Sequence, residues 1–131
     1  MYESFTSSLN LIKNSLDTYW LRNTLISNNI SNVNTPGYKR MDVDFSKALN
    51  DAASAKLNKT NKKHMDILEN DVINDIIVED QGTSQRLDDN NVDIDNEMAG
   101  LAQNTLLYNS LIQQLGNEYR RIRLSINEGR G

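Results

Sequence analysis

Side chains that could do chemistry are few in this sequence, and none of them stands in a recognisable catalytic pattern. The single histidine, His64, follows two lysines in a polar stretch, with no serine, cysteine or metal-ligand partner at a recognisable spacing. Asp89, Asn91 and Asp93 imitate the start of an EF-hand loop, but an isoleucine stands where that loop requires glycine. The chain has no cysteine, so it can build neither a disulfide nor a thiolate metal site. The sequence therefore predicts a protein that is not an enzyme and that needs no cofactor or metal.

A different polar chemistry is concentrated in an asparagine-rich segment that contains a Thr-Pro-Gly-Tyr sequence. Amide side chains carry donors and acceptors, and they can bind the free backbone groups at a helix end and in the turn after it. Proline disfavours helical geometry in the residue before it, and glycine tolerates a positive φ. The tyrosine ring can fill the junction while its hydroxyl is hydrogen-bonded. An ordinary asparagine-rich helix end is the alternative interpretation. The candidate site consists of Asn28, Asn29, Asn32, Asn34, Thr35, Pro36, Gly37 and Tyr38.

Two long stretches with helical spacing lie near the two ends of the chain, and they must position this turn. In both, apolar residues recur alternately four and three positions apart over several heptads, which is typical of helices that pack on other helices. Asn23 interrupts the first series and Thr105 the second, and each is either a tolerated polar position or a residue that fixes helix register. The predicted seam residues are Phe5, Leu9, Ile12, Leu16, Tyr19, Ile26 and Ile30 in the first helix, and Ile94, Met98, Leu101, Tyr108, Ile112, Leu115, Tyr119 and Ile122 in the second.

The ends of both helices carry recognisable signals. The first helix is predicted from Ser4 or Ser7, whose hydroxyls can cap free N–H groups, to about Asn32, just before the Pro-Gly turn. The second is predicted to begin at Asp93 or Asp95, where a carboxylate meets the positive end of the helix dipole. It is predicted to close around Asn127, with Arg120, Arg121 and Arg123 near the negative end of its dipole and Gly129 just beyond.

Between the helices the sequence predicts a small irregular or β-containing segment. Alternating apolar residues at 41–45 favour a short strand, although a helix that continues through Leu49 also fits. Residues 50–70 are poor in large apolar side chains and are interpreted as loop, linker or weak helix. The β-branched run at 72–78 favours a second strand. We therefore predict one mainly α assembly domain whose terminal helices pair as a coiled-coil-like hairpin, with its parts at residues 1–40, 41–91 and 92–131.

Composition and charge limit what such a chain can do. A net charge of −4 speaks against nucleic-acid binding, because phosphate contacts require a surplus of lysine and arginine. No stretch approaches the ~18 apolar residues of a membrane span, and the N-terminus lacks the pattern of a cleaved secretion signal. With 37% hydrophobic and 6% aromatic residues, the chain has little material for a core of its own. We expect neighbouring subunits to cover part of the helix seams.

Residues 27–40 resemble the N-terminal signature of bacterial flagellar rod and hook proteins, whose usual pattern is Asn-Asn-x-Ala-Asn-x-x-Thr-Pro-Gly-Tyr. Residues 91–98 and the apolar positions after them are similar to the C-terminal segment of the proximal rod members of that family. The short chain favours those members over the larger hook and distal-rod proteins. Two departures are Ser31, where alanine is common, and Asp89, where glycine is frequent.

The resemblance implies a structural subunit of the flagellar basal-body rod that polymerises through its terminal helices. It also implies export by the flagellar type III apparatus without a cleaved signal peptide, and a location in the periplasmic part of the basal body. The implied partners are copies of the chain itself, other rod proteins such as FlgC, the adaptor FliE and the MS-ring protein FliF. The alternatives are a FlgC-like rod subunit and a soluble coiled-coil adaptor or secretion chaperone. The adaptor or chaperone would form an oligomer of fixed mass, whereas a rod subunit would give a monomer or an open-ended polymer.

Overall fold

The computed structural model describes residues 2–50, 75–82 and 87–128 of the chain. Two long helices, α1 (Tyr2–Ser31) and α2 (Ile94–Glu128), pack on each other. Two short strands, β1 (Met41–Val43) and β2 (Ile77–Glu79), form an antiparallel pair between them in the chain. The predicted mainly α fold with a small β-containing middle is therefore confirmed. The predictions for His64 and for the loop at 51–70 lie outside the described residues, as does the Phe5 side chain.

The two helices run antiparallel. A Cβ atom built on Gly100 would lie 3.9 Å from Cδ1 of Ile26, and Nδ2 of Asn104 donates to the backbone oxygen of Tyr19 at 2.9 Å. Moving forward along α2 thus corresponds to moving back along α1. That distance is an ordinary van der Waals contact, so the buried side chain of Ile26 packs against α2 at Gly100.

The apolar seam of α1 faces inward over its described length. Ile12 and Ile26 are buried, and Leu9, Leu16, Tyr19 and Ile30 are half-buried. Thr18, Leu25 and Asn29, which are not in the predicted seam, are also buried, so the packed side of α1 is wider than the seam.

In α2 the inward side is rotated by one heptad position from the predicted seam. Leu101, Tyr108, Leu115 and Ile122 are half-buried, whereas Ile94, Met98, Ile112 and Tyr119 are exposed. Three polar residues outside the predicted seam are buried next to the half-buried residues instead. They are Glu97, Asn104 and Glu118. Because these residues follow the same four-three spacing, α2 presents one half of its predicted seam to α1 and the other half outward.

Asp44 explains why the first strand is short. Its Oδ1 accepts hydrogen bonds from the backbone N–H groups of Ser46 at 2.9 Å and Lys47 at 3.2 Å, which is the pattern of a helix N-cap. The chain is accordingly helical at 45–50, so both the predicted strand and the alternative helix occupy part of this region. The second strand lies at the end of the predicted 72–78 run and extends one residue beyond it.

The capping predictions for α2 hold at one end only. Oδ1 of Asp93 accepts from the backbone N–H of Asp95 at 3.0 Å, which confirms the predicted cap. At the other end, the last turn contains no basic residue. The predicted end around Asn127 agrees with the observed last residue, Glu128, but the three arginines lie more than one turn before it, outside the last turn to which the dipole effect is confined.

Candidate functional site

The candidate site is the junction at which the chain leaves α1 and returns to α2. Thr35 begins a tight turn, because its carbonyl oxygen accepts from the N–H of Tyr38 at 3.3 Å. Pro36 and Gly37 occupy the two central positions, and Gly37 has a φ of 72°. A type II turn requires this arrangement, with proline favoured second and a positive φ third. The Thr-Pro-Gly-Tyr sequence therefore builds a sharp corner directly after α1.

Asn29 joins three parts of the chain beneath this corner. Its side chain has 0% exposure and uses both ends of its amide. Nδ2 donates to the Met41 carbonyl at 2.8 Å and to Oε2 of Glu97 at 3.0 Å. Oδ1 accepts from the Met41 N–H at 3.0 Å and from the Tyr38 hydroxyl at 3.2 Å. One amide thus ties α1 to β1, to the turn and to α2, with its full hydrogen-bonding capacity used.

Asn90 lies in the segment that leads into α2, and its side chain binds the turn that follows α1. Its Nδ2 lies 2.9 Å from the backbone oxygen of Asn32, 3.1 Å from that of Val33 and 2.8 Å from that of Thr35. Its Oδ1 accepts from the N–H of Val92 at 2.8 Å. These three carbonyl groups belong to the turn that follows α1. Asn90, with 0% exposure, therefore ties that turn to the segment that leads into α2.

Four charged residues form an ion cluster beside Asn29. Nε and Nη2 of Arg22 donate to the carboxylate of Asp42 at 2.9 and 3.2 Å. Nη2 of Arg40 donates to the same carboxylate at 2.8 Å. Nε of Arg40 also donates to Glu97, whose side chain is 2% exposed. A carboxylate is seldom this buried unless it is paired. The cluster therefore fixes β1 against α1 and α2 together.

The cluster changes the protonation behaviour of its members. Burial acts to raise the pKa of Asp42, but hydrogen bonds from Arg22, the Val43 N–H and Arg40 outweigh it and hold the pKa below 3.8. Burial acts to lower the pKa of Arg40, and its hydrogen bonds with Glu97 and Asp42 raise it overall. Burial and the nearby charge of Glu97 raise the pKa of the Tyr38 hydroxyl above 10.0. All three groups keep their usual charge state near neutral pH.

The predicted site residues fall into two groups in the structure. Asn29 and Tyr38 lie inside the junction, and the turn is built by Asn32, Thr35, Pro36 and Gly37. The side chains of Asn28 and Asn34 are exposed. The junction thus brings together most of the predicted signature and leaves two of its amides on the surface.

Three residues that hold the junction were missed by sequence reasoning. Asn90, Arg40 and Glu97 were not assigned to the site, because their partners are more than fifty residues away in the chain. The sequence shows only that Glu97 lies in the first turn of α2. An acidic residue there favours the helix dipole whether its side chain is buried or exposed. Spacing within the sequence does not distinguish these two roles.

Asp89 has the backbone geometry that its position requires. Its φ is 59°, in the left-handed region that glycine adopts readily and that aspartate tolerates. Lys39 donates to the Asp89 backbone oxygen at 2.8 Å and to its carboxylate at 3.0 Å. The departure from glycine is therefore accommodated, and the aspartate contributes a contact that glycine would lack.

A second candidate surface is the outward half of the α2 seam. Ile94, Met98, Ile112, Tyr119 and Ile126 are 46%, 54%, 45%, 58% and 62% exposed. They are separated by four or by multiples of seven residues, which places them on one side of the helix. Residues 98–117 contain no charged side chain. We call these five residues the outer stripe.

Neither a membrane span nor a metal site is found among the described residues. No helix there is long and apolar enough to cross a membrane. No group of histidine, aspartate and glutamate side chains in the same part of the chain is arranged to hold a metal ion. The arrangement at the junction consists of amides, ion pairs and a tight turn, and together with the outer stripe it defines a helical hairpin that carries an exposed apolar surface.

Comparison with known proteins agrees with this class. A family described as "Flagella basal body rod protein" matches residues 25–39, the end of α1 and the turn. The flagellar basal body rod protein FlgB of Bacillus subtilis (strain 168) is 33% identical over 128 residues, which cover 96% of this chain and 98% of that protein. The protein of the same name from Borreliella burgdorferi is 30% identical over 129 residues, or 92% and 96% of the two chains. The one from Yersinia enterocolitica is 26% identical over 140 residues, or 98% and 100%. The chain therefore belongs to the FlgB family of flagellar basal body rod proteins.

Proposed function

We propose that this chain is a structural subunit of the proximal flagellar rod and that it is incorporated through its paired terminal helices. The observation that supports this most directly is the outer stripe, which runs along nearly the whole of α2 and leaves about half of each of its side chains exposed. Its five side chains are each about half exposed, so their complete burial would contribute on the order of 4–8 kcal/mol per subunit. This is a substantial gain for an assembly contact, although association costs offset part of it.

The junction supports the same function from the other side. A stripe on α2 promotes assembly best if the position of α2 relative to α1 is fixed in the free subunit. Any disorder there would have to be removed on binding, which costs binding free energy. Asn29 connects α1 to α2, and Asn90 connects the turn after α1 to the segment that leads into α2. We infer that the rod signature preorganises the helical hairpin for incorporation.

The finer assignments extend this proposal. We propose a place in the periplasmic part of the rod, export by the flagellar type III apparatus without signal cleavage, and contacts with other copies, with FlgC-like rod proteins, with FliE and with FliF. The near full-length similarity to proteins named FlgB supports the proximal position and disfavours a FlgC-like subunit or a chaperone. A rod subunit needs no catalytic residue, so we propose no enzymatic activity.

The test is a charge placed in the outer stripe. We expect Ile112→Asp to prevent incorporation into the rod while export continues, because the carboxylate would be buried without a partner. The matched control is Gln103→Asp, an exposed position nine residues away and therefore on the opposite side of α2. The readouts are swimming motility and the amount of the chain in purified basal bodies. Normal motility of the Ile112 variant would contradict the proposal.

A further inference from the structure

A groove lies between α1 and α2 along the half of the hairpin that is far from the junction. Its volume is about 480 Å³. Leu9 and Leu16 of α1 and Leu115 of α2 form its apolar lining, and Tyr108 and Tyr119 flank them. The groove adjoins the outer stripe, because Tyr119 belongs to both. It is thus a recess within an apolar surface that the described residues leave partly exposed.

Its rim carries a balanced pair of charges. Lys13 and Asp17, one turn apart on α1, line the groove together with Asn10. One cation and one anion leave no net field that would select a charged occupant. The recess suits an apolar side chain on an uncharged surface.

Such a side chain is present on the reverse of the same helix. Leu11 is 52% exposed and does not line the groove. It stands two residues from both Leu9 and Lys13, and each residue turns an α-helix by about 100°, so Leu11 points roughly opposite to them. Its described neighbours on that side, Ser8 and Ser15, are uncharged. The protruding leucine and the recess therefore lie at the same height of α1 on opposite faces.

We propose that Leu11 of one copy of this chain inserts into the groove of a second copy, front to back, with their α1 helices running in the same direction. The inference rests on the proposed function. A protrusion and a recess on different faces of one molecule give a heterologous contact, which repeats from copy to copy and does not close on itself unless the rotation does. A two-fold pair would set groove against groove and leave both Leu11 side chains outside. The second copy is the occupant that also covers Leu11.

The absence of native cysteine allows a direct test in intact basal bodies. Leu11→Cys and Tyr119→Cys are combined in one chain, and the isolated basal bodies are treated with a short bismaleimide. We expect a ladder of products at multiples of 14.9 kDa, because each copy offers one cysteine to each neighbour. Either single variant should give no ladder. The matched control, Leu106→Cys with Tyr119→Cys, replaces an exposed leucine on another face of α2 and should also give none.

Three outcomes decide the matter. A ladder confined to the Leu11–Tyr119 pair supports the front-to-back contact. Products that contain a different rod protein, or no ladder although the chain is present and the cells swim, overturn the contact and leave the proposed function standing. Absence of the unmodified chain from basal bodies overturns both. If the double variant is not incorporated, a photo-cross-linking benzoylphenylalanine at Leu11 gives the same decision, since the captured peptide should come from residues 108–119 of a second copy.

Discussion

Replacing Asn29 with aspartate should destabilise the junction strongly while changing its size very little. The two hydrogen bonds that Nδ2 donates, to Met41 and to Glu97, would become contacts between two acceptors. A lost bond to a neutral carbonyl costs about 0.5–1.5 kcal/mol and one to a charged group about 1.5–3 kcal/mol. The loss is therefore roughly 2–4 kcal/mol in the free energy of unfolding, before the repulsion between the new carboxylate and Glu97 is added.

The neighbouring residue provides the control for this prediction. Asn28→Asp makes the same chemical change one position earlier, where the side chain is exposed. A surface substitution of this kind is expected to stay within about 0.5 kcal/mol. Denaturant unfolding of the purified chain, followed by circular dichroism, measures both variants. Equal losses for Asn28→Asp and Asn29→Asp would refute the assignment of Asn29 as the residue that joins the two helices and β1.

Three further predictions concern the junction and the helix seam. Asn90→Ala removes this partner from three carbonyl groups of the turn after α1, and we expect a loss of about 2–3 kcal/mol in the free energy of unfolding and faster amide exchange in the turn at 32–38. Because the folded pKa of Asp42 lies below 3.8, its contribution to stability is present above that pH and is lost as the pH falls through the folded value. The melting temperature should therefore fall below about pH 4, and the fall should be smaller in Asp42→Asn. Asn104→Leu should raise the melting temperature, since Oδ1 of Asn104 accepts no hydrogen bond from any described residue and an apolar side chain avoids that cost.

Much of the fold could be predicted from the sequence because the signals for it are local. Heptad spacing, the Asp93 cap and the Pro-Gly turn each act within a few residues, and they located both helices to within a few positions of their observed ends. The sequence predicts the middle segment less well, because residues 41–49 fit both a short strand and a helix. The position of Asp44 as a cap decides where one gives way to the other.

The rotation of α2 could not be read from its spacing. Its apolar residues cover a band wider than one partner helix requires, so two neighbouring heptad phases fit the sequence. The structure turns Glu97 and Asn104 toward α1, although both are polar, because each finds a hydrogen-bond partner there. The outer stripe is the apolar surface of α2 that this orientation leaves partly uncovered by the described residues.

The candidate site was located by its signature, whereas its internal connections were not. Asn29 and Asn90 are chemically equivalent to the exposed Asn28 and Asn34, and only the folded chain shows which amides meet a backbone group from a distant segment. The ion cluster was missed for the same reason. Arg40 and Glu97 are 57 residues apart, and neither residue type predicts a buried partner by itself.

The most direct test of the central claim is the accessibility of the outer stripe before and after assembly. Ile112→Cys introduces one thiol at a side chain that is 45% exposed in the single chain. Maleimide labelling should be rapid in the free chain, slow in intact basal bodies and rapid again once the basal bodies are denatured. Labelling at the same rate in free chain and intact basal bodies would show that the stripe remains in solvent, and it would contradict the claim that the rod is built on this surface.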